Sequence, residues 1–332
     1  MTMTMTIRTQ DYSQKLLAER GFAYADGFFS TMGVCQGQIL WAIHHRQRLL
    51  SHAMALSLTL DVPMLMQQLI ERALGLGDGI IKVVVSRVSQ PVRGYGWING
   101  DSVVDITETK TAIFTQTNNL QQNFINQLLV DKLMAGQSLS FDDLPKQPTG
   151  DAMCIHQQIA CLPKPLVGLK SLNRLDSVLV TGELERHRQK QPTLVEGLVQ
   201  DVMGNWVEGV MSNVFYQLAE PISQIDKQQS DNQPQHKINA NLNSKNNVRT
   251  NIKLNHAHWH TPPIIQSGVS GVMRQVVMDT LQSQGKKVNE RRLTNADLAN
   301  LSALFFCNAV RGIIPIARLY IDGRWYELRV NY

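Results

Sequence analysis

The chain has 332 residues, 43% hydrophobic and 18% charged, with a formal net charge of +5. That length accommodates two domains with cores of their own, and no apolar run approaches the ~18 residues a membrane-spanning helix needs. The basic excess is concentrated: residues 221–260 hold five Lys or Arg against two Asp, with no aromatic interleaving, so a nucleic-acid-binding class is not indicated.

The opening "MTMTMTIRTQDYSQ" has neither the apolar core nor the cleavage pattern of a secretory signal and reads as a disordered lead-in, with Met3 or Met5 as alternative starts. Residues 28–41 read as two strands around a Gly-containing turn at 35–38. Leu49, Leu50, Ala53 and Leu56 recur at helical spacing, a second helix is expected over 64–75, and the β-branched run "IIKVVVSRV" at 80–88 is a buried strand. More strand is expected over 103–114. Residues 115–150 turn Gln- and Asn-rich, with helical periodicity around 124–134.

Next comes a short strand in 152–160. Leu172, Leu175, Val178 and Leu179 then predict a helix from Ser171 onward with that stripe as its buried face. Strands fill 193–218, with a hairpin turn at 201–205. In residues 221–260, 13 of 40 are Gln or Asn, so residues 221–258 are expected to be a disordered insertion. A loop and helix follow over 261–288, then helix and strand over 292–319, and a last hairpin. Cys35, Cys154, Cys161 and Cys307 form no CxxC pair, which fits free thiols and a cytoplasmic setting. Cys307 is expected to be a buried strand residue. "HAHWH" at 256–260 admits a metal reading, but it ends a low-complexity tract without acidic partners, and no metal is assigned.

Lys170 stands just before the expected helix, where a cation is disfavoured by the dipole. It is either a solvated loop lysine or an amine held in a site. Glu208, in "WVEGVMSNVFY", is either on a solvated strand face or paired with a buried cation. "SGVSGVMRQVV" puts two glycines before a helix whose first N–H groups, at Val272 and Met273, can face an anion. Asn308 ends a buried strand. Each feature alone has a commoner, structural reading.

Taken in order, "GLKSLNRLD", "VEGVMSNVF", "SGVSGVMRQ" and "FFCNAVRGIIPI" resemble the fold-type IV pyridoxal phosphate enzymes, the class IV aminotransferase family. "GFAYADGFFSTMGVCQGQI" and "HHRQRLL" resemble that family's opening strand and His-x-x-Arg-Leu motif. The resemblance covers nearly the whole chain outside the two Gln/Asn-rich segments and the ends. It implies an α+β, two-domain, D-amino-acid aminotransferase-like fold: a smaller N-terminal α/β domain at 7–115, a connector at 116–150, and a larger C-terminal pseudo-barrel domain at 151–332. It implies pyridoxal 5'-phosphate as cofactor, with Lys170 as its covalent anchor and catalytic base. Glu208 would partner the pyridine nitrogen, and Arg48, the backbone at Val272 and Met273, and the Asn308 side chain would hold the phosphate. It also implies a homodimer.

Within the family, "IKVVVSRVSQPVRGYG", "LKSLNRLDSVL" and "CNAV…PI" are more similar to the 4-amino-4-deoxychorismate lyases than to the aminotransferases. That implies conversion of 4-amino-4-deoxychorismate to 4-aminobenzoate and pyruvate, a step of folate synthesis; a fold-type IV aminotransferase is the alternative. The two substrate carboxylates call for cations, with Arg93 the first candidate and Arg311 the second, and with Tyr95 as a stacking or donor group.

Overall fold

The computed structural model describes residues 19–98, 109–117, 127–219 and 258–330. The Met-Thr opening, the start of the strand expected at 103–114, His256 and nearly all of the insertion expected at 221–258 lie outside the described residues.

A short helix α1 (Arg20–Ala23) leads into a four-stranded antiparallel sheet, in the order β2 (Gln38–Ile39), β1 (Gly27–Cys35), β3 (Gly79–Arg87), β4 (Thr109–Gln116). The β1–β2 turn is where the sequence puts it: Gln36 and Gly37 both have positive φ, at 50° and 75°, the geometry that matches the twist of a hairpin. One sheet face buries Phe28, Met32, Ile81, Val83 and Val85 against α2 (Ala42–Ala55) and α3 (Val62–Leu76). Strand alternation puts Phe29, Thr31, Lys82, Val84 and Phe114 on the other face, opposite α2 and α3.

Past α4 (Gln127–Met134) the chain builds the second, larger sheet. Its strands are β5 (Gly150–Cys154), β6 (Leu194–Gln200), β7 (Trp206–Gly209), β8 (Asn213–Leu218), β9 (Trp259–Thr261), β10 (Val288–Glu290), β11 (Leu301–Asn308), β12 (Gly312–Ile321) and β13 (Arg324–Glu327). The order β8-β11-β12-β5-β6-β7 closes on itself because Glu208 in β7 pairs with Asn213 in β8, giving a barrel. Successive residues of β11 point to opposite cores, as strand alternation requires. Leu304 and Phe306 join the cluster with Val214, Ile314 and Ile316. Phe305 and Cys307 pack with Met273 and Val277 of α6 (Val272–Ser283). The last helix, α7 (Asn295–Leu298), precedes β11.

The helix expected from Ser171 begins instead at Leu175, as α5 (Leu175–Arg188). Residues 168–172 are not helical and are bonded on both sides, to β1 of the small sheet and to the loop just before α6. The Phe29 N–H reaches the Lys170 carbonyl at 3.0 Å, and the Leu172 N–H reaches Gly27 O at 3.0 Å. On the other side the Ser270 N–H reaches Gly168 O at 2.9 Å. The predicted buried stripe is also wrong, since Leu175, Val178 and Leu179 are 73%, 62% and 61% exposed. α5 buries Val180, Glu183 and Leu184 instead. Glu183 sits inside because its carboxylate accepts the backbone N–H groups of His156 and Gln157, at 3.0 and 2.9 Å, beyond the end of β5. Among the described residues no helix is long and apolar enough to cross a membrane.

Candidate active site

Lys170 lies on the segment that bonds to β1 on one side and to the loop before α6 on the other. Gly168 enters this segment at φ +82°, and a Cβ there would stand 2.7 Å from Ser270 Oγ, so the backbone approach requires glycine. His52, in α2, fixes the lysine from behind: its Nε2 accepts the Lys170 backbone N–H at 3.0 Å. An accepting Nε2 puts the ring proton on Nδ1, which faces Ser51 Oγ at 3.2 Å. His52 stays neutral, because burial and then the Arg48 charge push its pKa down to about 3.

The Lys170 Nζ lies 4.9 Å from the centroid of the Phe29 ring, on the face of the small sheet opposite α2 and α3. Lys82 Nζ shares that ring at 4.8 Å. Burial, followed by the Arg48 and Arg174 charges, lowers the Lys170 pKa to about 8. That amine is a far better nucleophile and base near neutral pH than a surface lysine.

Glu208 is 5% exposed. Its Oε2 accepts the Val269 N–H at 2.8 Å, and Arg174 Nη2 lies 3.7 Å from Oε1. Burial raises its pKa to about 7, against the opposing pull of Arg174, the Val269 hydrogen bond and Lys170. An inward carboxylate and an inward amine thus share one site.

Arg48 crosses from α2 to the start of α6, where its Nη2 donates to Ser270 O at 2.7 Å. Gly271, the residue before α6, provides no side-chain cap, which leaves the N–H groups of the first turn, including those of Val272 and Met273, for another acceptor. A Cβ on Gly271 would fall 1.7 Å from Asn213 Oδ1. That amide is already committed, since Asn213 Nδ2 donates to Val269 O at 2.8 Å. Arg48 Nε and His45 Nε2 are buried polar atoms without a partner among the described residues. His45 Nδ1 is taken by Ser30 Oγ at 2.9 Å, and burial with the Arg48 charge keeps the ring neutral. A buried arginine with a free N–H beside an uncapped helix start is a donor set suited to a phosphate. With the adjoining lysine and carboxylate, it fits pyridoxal phosphate.

The remaining sequence candidates do not gather there. Asn308 Oδ1 accepts the N–H groups of Val310 and Arg311, at 3.1 and 2.8 Å, and its Nδ2 donates to Met211 O at 3.3 Å. Its side chain shapes the β11–β12 turn. Arg311 donates to Val195 O at 3.5 Å, near the buried Glu196. Arg93 and Tyr95 are exposed, and Tyr95 packs on Tyr24 with ring centroids 5.1 Å apart. His260 packs on Tyr216 at 5.4 Å, and no group of three or more His, Cys, Asp or Glu able to hold a metal occurs among the described residues. Cys307 is fully buried, which pushes its thiol pKa up.

Sequence reading missed His52, Arg174, Phe29 and Lys82 as members of the site. Arg174 lies in the quoted "KSLNR", and Lys82 and Phe29 carry a readable strand alternation. No local signal marks His52, whose contact to Lys170 spans 118 positions.

Residues 27–319 match the family described as amino-transferase class IV. The aminodeoxychorismate lyase of Vibrio harveyi is 24% identical over 152 residues, 46% of this chain, and the match spans only 41% of that protein's length. A putative branched-chain-amino-acid aminotransferase of Methanocaldococcus jannaschii is 25% identical over 92% of this chain and 82% of its own. Among solved structures, the 4-amino-4-deoxychorismate lyase of Pseudomonas aeruginosa superposes with a TM-score of 0.64 at 24% identity, over 98% of this chain and 92% of that one. The structural likeness is one of fold.

Proposed function

Because the chain belongs to the class IV aminotransferase family, whose enzymes depend on pyridoxal phosphate, we propose that it is a pyridoxal phosphate-dependent lyase. In this reading it converts 4-amino-4-deoxychorismate to 4-aminobenzoate and pyruvate. The observation that carries the cofactor reading is the meeting of Lys170, Glu208, Arg48 and the uncapped start of α6 in one buried cleft. Lys170 would hold the cofactor covalently, Glu208 would face its ring nitrogen, and Arg48 with the Val272 and Met273 N–H groups would take its phosphate. When bound, the cofactor supplies an electron sink for a carbanion next to the substrate nitrogen.

The chain's own groups do the rest. Released from the cofactor when the substrate's 4-amino group takes its place, Lys170 Nζ would take the proton from C4 of the substrate. Glu208 in its anionic form stabilises positive charge on the ring. The enolpyruvyl group leaves from C3 and is protonated to pyruvate, and aromatisation of the six-membered ring drives the step. Lys82 is an exposed cation on the same face as Lys170 and suits a substrate with two carboxylates. The lyase-like "KVVVSR…RGY" pattern supports this reaction. The longer match to an aminotransferase favours the second reading, in which Lys170 and Glu208 serve amino transfer to a keto acid.

Borohydride reduction of the chain mixed with pyridoxal phosphate, followed by peptide mapping, tests the cofactor assignment. Label on the Lys170 peptide supports it, and label spread over surface lysines contradicts it. Strict dependence of turnover on an added keto acid would favour the aminotransferase.

The proposal includes a cytoplasmic homodimer with domains divided at the 116–150 connector. The exposed Leu175, Val178 and Leu179 stripe is an apolar surface that a second copy could cover. A monomeric mass by sedimentation would count against the dimer.

A further inference from the structure

Arg174 has no task in the reading above, yet it stands inside the site. It occupies the position before α5 with non-helical dihedrals, φ −132° and ψ 34°, and makes no capping bond. Its side chain is 21% exposed and turns toward Glu208. The Nη2–Oε1 separation of 3.7 Å is an ion pair but too long for a hydrogen bond. The two carboxylate oxygens are therefore used differently. Oε2 is pinned by the Val269 N–H at 2.8 Å, while Oε1 accepts no hydrogen bond among the described residues.

We propose that Arg174 is a positioning residue: its guanidinium keeps the buried Glu208 ionised while leaving Oε1 open for the ring nitrogen of the cofactor. This rests on the reading of Glu208 given above. A carboxylate taken out of water goes neutral unless a cation or donors face it. The charged groups facing Glu208 are Arg174 and Asp176 at the start of α5 and Lys170 on the 168–172 segment. The Val269 N–H ahead of α6 faces it as well. Arg174 is the strongest of the influences favouring the anion, and Asp176 opposes it. Lys170 cannot hold that duty, because its charge changes as it serves as nucleophile and base. A guanidinium stays charged throughout. The same cation favours the free amine of Lys170, so one side chain biases both groups toward the forms the chemistry uses.

The test is a pH titration of Glu208 in the full chain, grown with carboxyl-labelled glutamate and free of cofactor, read by carbon NMR. The Glu208 resonance is assigned by its loss in Glu208→Gln. Arg174→Gln should move the midpoint upward by about one pH unit or more, a tenfold change in the ionisation constant, and Arg174→Lys should restore most of it. Pyridoxal phosphate affinity gives the second readout. The variant's defect should be wide near neutral pH and close at high pH, where Glu208 is ionised in both proteins. An unchanged midpoint in a folded Arg174→Gln protein, or an affinity loss equal at every pH, overturns the proposal; Arg174→Met serves if the glutamine variant does not fold. Failure of the wild-type chain to bind pyridoxal phosphate at any pH would overturn the reading of Glu208, and with it the task given to Arg174. An unchanged titration in a chain that does bind overturns Arg174 alone.

Discussion

One irregular segment bears the lysine proposed for chemistry and another bears Arg93 and Tyr95, which only the sequence nominates for substrate binding, and the fold treats the two in opposite ways. Residues 168–172 are paired on both edges, to Gly27 and Phe29 on one side and to Ser270 on the other, with Lys170 turned inward. The loop bearing Arg93 and Tyr95 is held from behind. Arg20 donates to the carbonyls of Gly94, Gly96 and Tyr95, at 3.5, 3.0 and 3.1 Å, and Arg87 lies 4.2 Å over the Trp97 ring. Asp26 joins both arginines, at 2.8 Å from Arg20 and 3.1 Å from Arg87. The backbone of this loop is thereby fixed while the Arg93 side chain stays exposed. A reactive amine needs a set position and a dry environment, so its strand is locked.

Substitutions break this contrast in a graded order. Lys170→Ala removes nucleophile and base together and should lower turnover by about 10⁴-fold or more, with no cofactor trapped by borohydride. Glu208→Gln keeps the shape and loses the charge; turnover should fall by about 10²–10³-fold while the cofactor can still be trapped on Lys170. Arg48→Met removes a charge-assisted contact to the phosphate and should weaken cofactor affinity about 10- to 100-fold, read by equilibrium dialysis. Arg93→Ala should raise KM by up to about tenfold with kcat and cofactor affinity unchanged, the signature of a group that only binds substrate. A fall in kcat with Arg93→Ala would blur the distinction between the two segments.

The pH dependence sharpens the same point. Lys170 titrates near 8 and is the free amine above that value, and Glu208 titrates near 7 and is the anion above that value. Cofactor capture should therefore fall as pH drops through 8 and further through 7. Capture should level off above about 8, whereas a surface lysine would keep gaining reactivity toward 10. A profile of capture rate against pH distinguishes the two.

How much was legible follows the range of the interactions involved. The Gly-containing hairpin, the buried "IIKVVV" strand and the α6 start carry local signals and appear as expected. The motif series placed Lys170, Glu208 and Arg48 together although no spacing rule joins them. The start of α5 was misplaced because residues 168–172 satisfy backbone groups against β1 and the loop before α6, which periodicity cannot register. The stripe of Leu175, Val178 and Leu179 marks an apolar face but not what covers it. Asn308 sits at the strand end where expected, yet its amide is used by its own turn.

The most direct test supplies 4-amino-4-deoxychorismate, formed in place, to the purified chain with pyridoxal phosphate and no keto acid, with Lys170→Ala as control. Equimolar 4-aminobenzoate and pyruvate, absent in the variant, is the result this account predicts. A cofactor-loaded chain that yields no 4-aminobenzoate but transfers amino groups once a keto acid is added would contradict it.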